Sequence, residues 1–384
     1  MKIAVYHNQH AGGAARVIEA YLAHRGKDHH VEIFSPETAD TGFVDLARFA
    51  QQEHRFPIPG SESPLGRYRR AFSVPKYGKR IAAAIDGGGF DVAFVNLSFV
   101  TQSPEVLPYL KTPSVYYCPE PLRAVYDKSP FPDPVTLKGL AKKLFFWGYD
   151  TRRKAFDRSA IKQADALFTH SNFTKKTLRR IYGVEASVVY LGVDTDTFRP
   201  LGRTREGFVL SVGALHPIKG HQFIVDALAT LPAERRPRLV VVGPRGDFAL
   251  RLEPYARERG VELEIKSGIA TEELVELYNR AGVFAAAQYN EPFGLITLEA
   301  MACRTAVVAV DEGGLKETVS NDTTGLLVER NPGKFAGAVD RVLTEPALAE
   351  RLGAAGHEDV TKRWRWSETA SRIDEMLRAV ASRS

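Results

Sequence analysis

The chain has 384 residues, 44% hydrophobic and 26% charged, with a formal charge of +6. At a domain size of roughly 150 residues that length predicts two domains, with three as the alternative, and the ordinary composition excludes disordered and fibrous classes. Cys118 and Cys303 lie far apart, with no metal-ligand spacing and no disulfide framework, which fits a reducing compartment. No run reaches the ~18 apolar residues of a membrane span. Lys2-Ile3-Ala4-Val5-Tyr6 after Met1 reads as a strand, not as the apolar core of a signal peptide. The expectation is a cytoplasmic protein, peripheral at the inner face of the membrane if it meets one.

The positive charge is too mild to suggest a nucleic-acid partner, but it is clustered. Residues 67–80 hold six basic residues and no acid. Residues 138–158 hold seven, against Asp150 and Asp157, and both stretches interleave with aromatics. Two readings stand: solvated helix faces, or a surface for an anionic membrane or acidic acceptor.

In chain order, the first half carries strand candidates KIAVYH, VEIF, DVAFVN, SVYY, ALFTH and SVVYLG. The second half carries FVLSVG, RLVVVG, VELEI, VFAAA, TAVVAV and GLLVE. Such short apolar runs fit strands buried on both faces, as in parallel sheets. Amphipathic stretches separate many of them, which is the βαβ pattern. Residues 191–207, rich in Gly, Asp, Thr and Arg, read as a linker. The predicted organisation is α/β: Rossmann-like domains over 1–195 and 196–365, and a terminal helix over 366–384 with Ile373, Met376, Leu377 and Val380 on one side.

Three segments bear on chemistry. In YNEPFGLITLEA, residues 289–300, Glu291 and Glu299 lie in an otherwise apolar run. Pro292 suits the first turn of a helix, so the amides of Phe293, Gly294, Leu295 and Ile296 would point out of a helix N-terminus, an anion site. Glu299 would lie about two turns along among apolar neighbours, where a carboxylate needs donors. Ribose hydroxyls would satisfy it, and Glu291 would take a second polyhydroxyl group. The plainer alternative has Glu291 capping the helix and Glu299 paired with a basic residue.

In SVGALHPIKG, a strand ends at Gly213 and Lys219 arrives beside another helix N-terminus, a combination suited to a diphosphate. A surface lysine in a βα loop is the alternative. Near the N-terminus, Gly12-Gly13 permits close backbone approach after the first strand, but lacks the G-x-G-x-x-G spacing of a dinucleotide fingerprint. An NAD-dependent oxidoreductase is disfavoured accordingly.

Taken in order, the Gly-Gly loop, THSNFTKKTLRRIYG, VVYLGVDTDTFRP, VGALHPIKG and EPFGLITLEAMACRTAVVAVDEGGLKETV resemble the family 4 retaining glycosyltransferases, from about residue 3 to 366. The glutamate pair with seven intervening residues is the most specific element. The resemblance implies a GT-B architecture, two Rossmann-like domains facing a cleft, with the last helix crossing back to the N-terminal domain. It implies a nucleoside diphosphate sugar as donor substrate, no separate cofactor, no metal for the diphosphate, and a saccharide or lipid-linked acceptor on the N-terminal domain.

By the same resemblance, Glu291 would bind donor-sugar hydroxyls and Glu299 the ribose. The amides of Phe293 to Ile296, with Lys219, would meet the sugar and diphosphate. Gly213 would border that loop, Gly12 and Gly13 would face the diphosphate, and Ile269 would lie near the base. This sequence departs from the family's pattern at Ala214, where arginine is usual, and at Pro119, where many members carry histidine; Glu120 and Arg123 are the nearest polar residues. Ala306 also replaces a frequent proline. A sugar-nucleotide epimerase and a non-catalytic nucleotide-sugar-binding protein remain alternatives to transfer.

Overall fold

The computed structural model describes residues 1–9, 13–26, 28–39, 45–58, 63–126 and 137–383. The chain divides into two compact units, one reaching Tyr190 and resuming at Trp366, the other Leu191–Arg365.

The first unit is built on a parallel sheet of seven strands, β1 (Lys2–Asn8), β2 (His30–Pro36), β3 (Gln52–Phe56), β4 (Val92–Ser98), β5 (Ser114–Tyr117), β6 (Ala166–Thr169) and β7 (Ser187–Val188). Their spatial order is β3-β2-β1-β4-β5-β6-β7. Ile3 pairs in register with Val31 on one side and Val92 on the other, all three fully buried. Burial on both faces is why these strands read as apolar runs. Strand β3 has no counterpart in the sequence reading. It is an edge strand of polar residues, held by β2 register and by His54, which stacks on Phe34 at 4.4 Å and meets Glu32 at 2.7 Å. An edge needs one partner strand and no second apolar face.

Helices α1 (Gly13–His24), α2 (Pro64–Asp86), α3 (Arg123–Tyr126), α4 (Leu137–Ala160) and α5 (Asn172–Tyr182) connect these strands. Ser63 caps α2 by accepting from the Gly66 amide at 3.1 Å, and Pro64 takes the first turn. Two buried carboxylates tie the ends of the strands to the helices. Glu105 accepts from Tyr6, Asn8, Tyr77 and Ser98. Asp157 of α4 accepts from the Ser103 amide and hydroxyl and from Tyr182. Such groups are tolerated inside only when donors surround them.

The second unit repeats the architecture with six parallel strands, β8 (Glu206–Val212), β9 (Leu239–Val242), β10 (Leu263–Lys266), β11 (Ala281–Ala286), β12 (Val307–Val310) and β13 (Leu326–Val328), ordered β10-β9-β8-β11-β12-β13. Its helices are α6 (His221–Ala229), α7 (Ala249–Glu258), α8 (Thr271–Arg280), α9 (Leu295–Ala302), α10 (Leu315–Thr318), α11 (Pro332–Thr344) and α12 (Pro346–Arg363). Residues 189–205, ahead of β8, contain no helix or strand.

The last helix, α13 (Trp366–Ala381), belongs to the first unit and lies against α1. It buries Ile373, Leu377 and Val380, three of the four residues the periodicity places on one side. Asp374 fixes its register, accepting from Tyr21 at 2.8 Å, the His29 ring at 3.1 Å and the Gly26 amide at 3.3 Å. The terminal helix thus returns to the N-terminal domain, as the resemblance implies.

Candidate functional site

In each sheet the strand order reverses once, between β1 and β4 and between β8 and β11. Open parallel sheets bind ligands at the C-terminal ends of strands beside that reversal. In the second unit those ends lead into residues 213–221 and 287–294, the two segments singled out for a diphosphate and a polyhydroxyl group.

Residues 213–221 are shaped by two histidines and a glycine. His216 accepts from the Ile218 amide at 3.4 Å and starts a short 3-10 turn, Pro217–Lys219. Gly220 follows with φ +74° and seeds α6; a Cβ there would collide with the Ala287 carbonyl. Glycine is what lets the 213–221 loop touch the end of β11. Behind it the buried His221 lies 3.3 Å from the Gly213 carbonyl and 3.2 Å from the Ser211 hydroxyl. A carbonyl can only accept, so Nε2 carries the proton and Nδ1 accepts from Ser211. Burial first, then the nearby Lys219 charge, lowers the His221 pKa to about 4. It is a neutral, fixed support for the loop.

Lys219 Nζ donates to Glu291 Oε2 at 2.9 Å, joining the two loops. Both side chains are partly exposed, at 27% and 16%, so the pair lies at the surface of the unit and accessible to a ligand. The helix after Glu291 begins later than the sequence predicts. Pro292 does not open it; Gly294 is the cap, with φ +102°, and α9 runs from Leu295. A left-handed residue cannot sit inside a right-handed helix, so the chain must turn at Gly294 first. Phe293 is buried, its ring 5.7 Å from Trp364. The first-turn amides are therefore those of Leu295 and Ile296, which have no acceptor inside their own helix.

Glu299 lies one turn along α9, nearly buried at 7% exposure, with Tyr278 Oη donating to it at 2.9 Å. Tyr278 also sits beneath the helix start, its ring 5.5 Å from Phe284. Ile269 is half-buried in the loop between β10 and α8. Among the described residues, no group of three or more His, Cys, Asp or Glu side chains is gathered as a metal ion would require.

On the first unit, Gly13 is the exposed first residue of α1, and Gly12 lies outside the described residues. Arg123 opens α3 and lies 3.6 Å from Glu120, whose carbonyl accepts from Gln102 at 2.9 Å. Pro119, next to Glu120 in the chain, is buried. The structure thus gathers Gly213, Lys219, Glu291, Gly294, Leu295 and Ile296 at adjoining loops of one unit, and Glu120 with Arg123 on the other.

Two family models match the chain. Glycosyltransferase Family 4 covers residues 11–197, and Glycosyl transferases group 1 covers 193–359. The chain is related to the family 4 and group 1 glycosyltransferases. It is 35% identical, over 56% of its length, to the GDP-mannose-dependent alpha-(1-6)-phosphatidylinositol monomannoside mannosyltransferase of Mycobacterium tuberculosis, of which 62% is covered. It is 36% identical to the D-inositol 3-phosphate glycosyltransferase of Acidothermus cellulolyticus, over 58% of this chain and 55% of that one. The chain therefore spans somewhat over half the length of these curated relatives. Among solved structures, sucrose-phosphate synthase from Thermosynechococcus elongatus superposes over 100% of both chains with a TM-score of 0.76 at 22% identity, a likeness of fold.

Four residues of this glycosyltransferase relative escaped the sequence reading. Tyr278 was hidden as an apolar helix position, and His221 as an ordinary helix start. Arg330 grips the carbonyls of Ala287 and Gln288 at 2.9 and 3.0 Å and lies over the Tyr289 ring at 3.7 Å, bracing the Glu291 loop from 39 residues away. His170, at the end of β6, is oriented by Tyr117 Oη at 2.7 Å on the strand that leads to Pro119. Nothing local in the sequence signals the last two; they follow from strand order.

Proposed function

We propose that this protein is a retaining glycosyltransferase, moving a sugar from a nucleoside diphosphate sugar to a hydroxyl of a saccharide or lipid-linked acceptor. The observation that carries this is the Lys219–Glu291 pair beside the Leu295 and Ile296 amides, with buried Glu299 one turn further along α9. Lys219 and the amides offer positive charge to a diphosphate; Glu291 and Glu299 offer acceptors to sugar and ribose hydroxyls. In the reaction the bond from the anomeric carbon to the diphosphate oxygen breaks, and a bond to the acceptor oxygen forms on the same face. The acceptor proton leaves with the diphosphate. Charge grows on the departing diphosphate, so fixed donors aimed at it lower the barrier.

GDP-mannose is the first donor to test, because a relative is named for it. The named relatives also point to anionic, polyol-bearing acceptors. We further propose that the protein works as a peripheral protein at the cytoplasmic face of a membrane. No helix among the described residues is long and apolar enough to cross one. Basic helices α2 and α4 expose Phe72 and Trp147 at 62% and 69%, a basic and aromatic mixture suited to an anionic interface.

The experiment is nucleotide release and product analysis across nucleoside diphosphate sugars, with phosphatidylinositol and inositol phosphate acceptors. Acceptor-dependent release with a retained anomeric linkage is expected. Isomerised nucleotide sugar without acceptor would make the protein an epimerase, and donor binding with no release under any acceptor would make it a binding protein.

A further inference from the structure

The first unit holds a pocket of about 270 Å³ that none of the donor-binding residues touches. It opens between α2 and α4, walled by Val74, Pro75, Val100 and Phe156, with Arg152 and Arg153 at its edge. The walls are mostly hydrocarbon. Thr101, Tyr149 and Ser159 also line the pocket, but the Thr101 and Ser159 hydroxyls already donate to backbone carbonyls, so a sugar would recover little of the hydration it lost. The volume is below the ~300–1,000 Å³ of pockets for compact drug-sized ligands, and fits one slender apolar group.

Basic charge prevails around the opening. Asp157, one of the two acids of residues 138–158, is turned inside and fully engaged by Ser103 and Tyr182. That leaves Asp150 as the acid of α4 beside Arg153, on a rim where Arg152 and Arg153 keep the net charge positive. Arg152 stacks over exposed Phe72 at 4.6 Å. Arg153 donates through one terminal nitrogen to the Phe99 carbonyl at 2.9 Å, while its buried Nε has no acceptor among the described residues. The Arg153 side chain is only half-buried at the pocket wall, and its other guanidinium N–H groups can meet an anionic oxygen there.

The pocket is also tied to the acceptor end of the sheet. Val100 and Thr101 of its wall belong to the turn that follows β4, and the next residue, Gln102, holds the Glu120 carbonyl. We propose that the pocket between α2 and α4 takes the hydrocarbon chain of an anionic lipid acceptor, with Arg152 and Arg153 at its phosphate, so that the headgroup is carried toward Glu120 and Arg123. This rests on the transferase reading above and names its acceptor class as a phospholipid.

Two measurements test it. Calorimetric titration with dodecyl phosphate below its micelle concentration is expected to show saturable 1:1 binding, and inorganic phosphate none. Ser159→Phe and Ala155→Phe, at exposed positions on the wall, fill the pocket. Each should weaken dodecyl phosphate binding by at least about tenfold, the equivalent of losing burial of about two methylenes. Melting curves identify any variant that fails to fold, and the other then decides. Absent binding, or binding that both plugs leave unchanged, overturns the pocket assignment.

The second measurement is transfer to phosphatidylinositol bearing either oleoyl or butanoyl chains. The plugs should raise KM for the long-chain acceptor and leave the short-chain acceptor unaffected. Equal effects on both overturn the acceptor role. If vesicles of phosphatidylglycerol bind wild type and plugs alike while dodecyl phosphate does not bind, membrane docking stands and the chain pocket falls. If no acceptor is ever glycosylated yet the plugs abolish dodecyl phosphate binding, the transferase reading falls and the pocket remains a lipid-chain site.

Discussion

Lys219 meets Glu291 at 2.9 Å across the two loops that follow β8 and β11, and this contact sharpens what each side chain should do. Ala214 brings no charge to this loop, so the charge proposed to meet the diphosphate falls on Lys219 with the amides of Leu295 and Ile296. Negative charge grows there as the glycosidic bond breaks, and loss of one such contact typically costs ~2.7–4 kcal/mol, or ~100- to 1,000-fold in turnover. Lys219→Ala is expected to fold, bind nucleoside diphosphate weakly, and turn over at least ~100-fold more slowly at saturating donor and acceptor. Because Lys219 also holds Glu291, Glu291→Gln and the double variant complete a cycle that separates the two roles. A folded Lys219→Ala protein with most of its turnover intact would end this assignment. Glu299 should behave differently. Glutamine at 299 can still accept from Tyr278, so the helix keeps its place, but the charge proposed to meet the ribose hydroxyls is lost. A contact of equal strength in ground and transition states affects affinity alone. Glu299→Gln should therefore raise the donor KM with little change in kcat; a collapse of kcat at unchanged KM would reject the ribose role.

Elements differ in how openly the sequence declares them. β1, β4, β8 and β11 are buried on both faces, and their apolar runs stand out for that reason. β3 is silent because an edge strand can be made of Gln52-Glu53-His54-Arg55-Phe56, its stability coming from β2 and from ring stacking. The glutamate pair stood out because two acids in an apolar segment demand partners, and the structure gives Lys219 to one and Tyr278 to the other. The start of α9 was misplaced by two to three residues, since proline at 292 fits a first turn and only the backbone reveals the left-handed Gly294 between them. Tyr278, Arg330 and His170 were illegible for another reason: their partners are distant in sequence and meet them through sheet order. The terminal helix α13 shows the same non-local logic in a form that can be measured. Asp374 receives three donors from the α1 end of the chain, and it is only 15% exposed. Asp374→Ala leaves Tyr21 Oη and the His29 ring without their acceptor, each partly buried donor costing of order 1 kcal/mol or more, and frees the exposed Gly26 amide to water. Urea unfolding should show a loss of roughly 2–4 kcal/mol, with Tyr21→Phe, which removes one donor cleanly, losing less. An Asp374→Ala protein as stable as wild type would mean that α13 is held by its apolar face alone.

At the scale of the whole molecule, both units keep a neutral histidine inside, next to the strand ends that serve the proposed reaction. His7 lies on β1 of the first unit; burial, and secondarily the Arg55 charge, lowers its pKa to about 4. His221 supports the Lys219 loop of the second and is lowered to the same value, about 4, chiefly by burial. In the unfolded chain each takes its proton near the usual 6.5. Between pH 6.5 and 4 the unfolded state therefore binds more protons than the folded one, and stability falls as pH falls through that window. Above 6.5 neither histidine contributes a slope; below 4 the penalty is complete. Each group can contribute up to ~1.4 kcal/mol per pH unit inside the window, and the two lie in separate units, so their effects should add. Urea midpoints at pH 7 and pH 5 stay above the range of most carboxylates, and comparison of wild type with His221→Gln isolates that group among the chain's ten histidines. Wild type is expected to be less stable at pH 5, and His221→Gln, with no proton to gain, should show a smaller difference between the two conditions. That variant also loses the neutral support behind Gly213, so its donor affinity at pH 7 should fall in parallel. An unchanged pH difference in His221→Gln would show that His221 titrates in the folded protein as it does in water, and that the Lys219 loop is held by Gly220 and Pro217 without it.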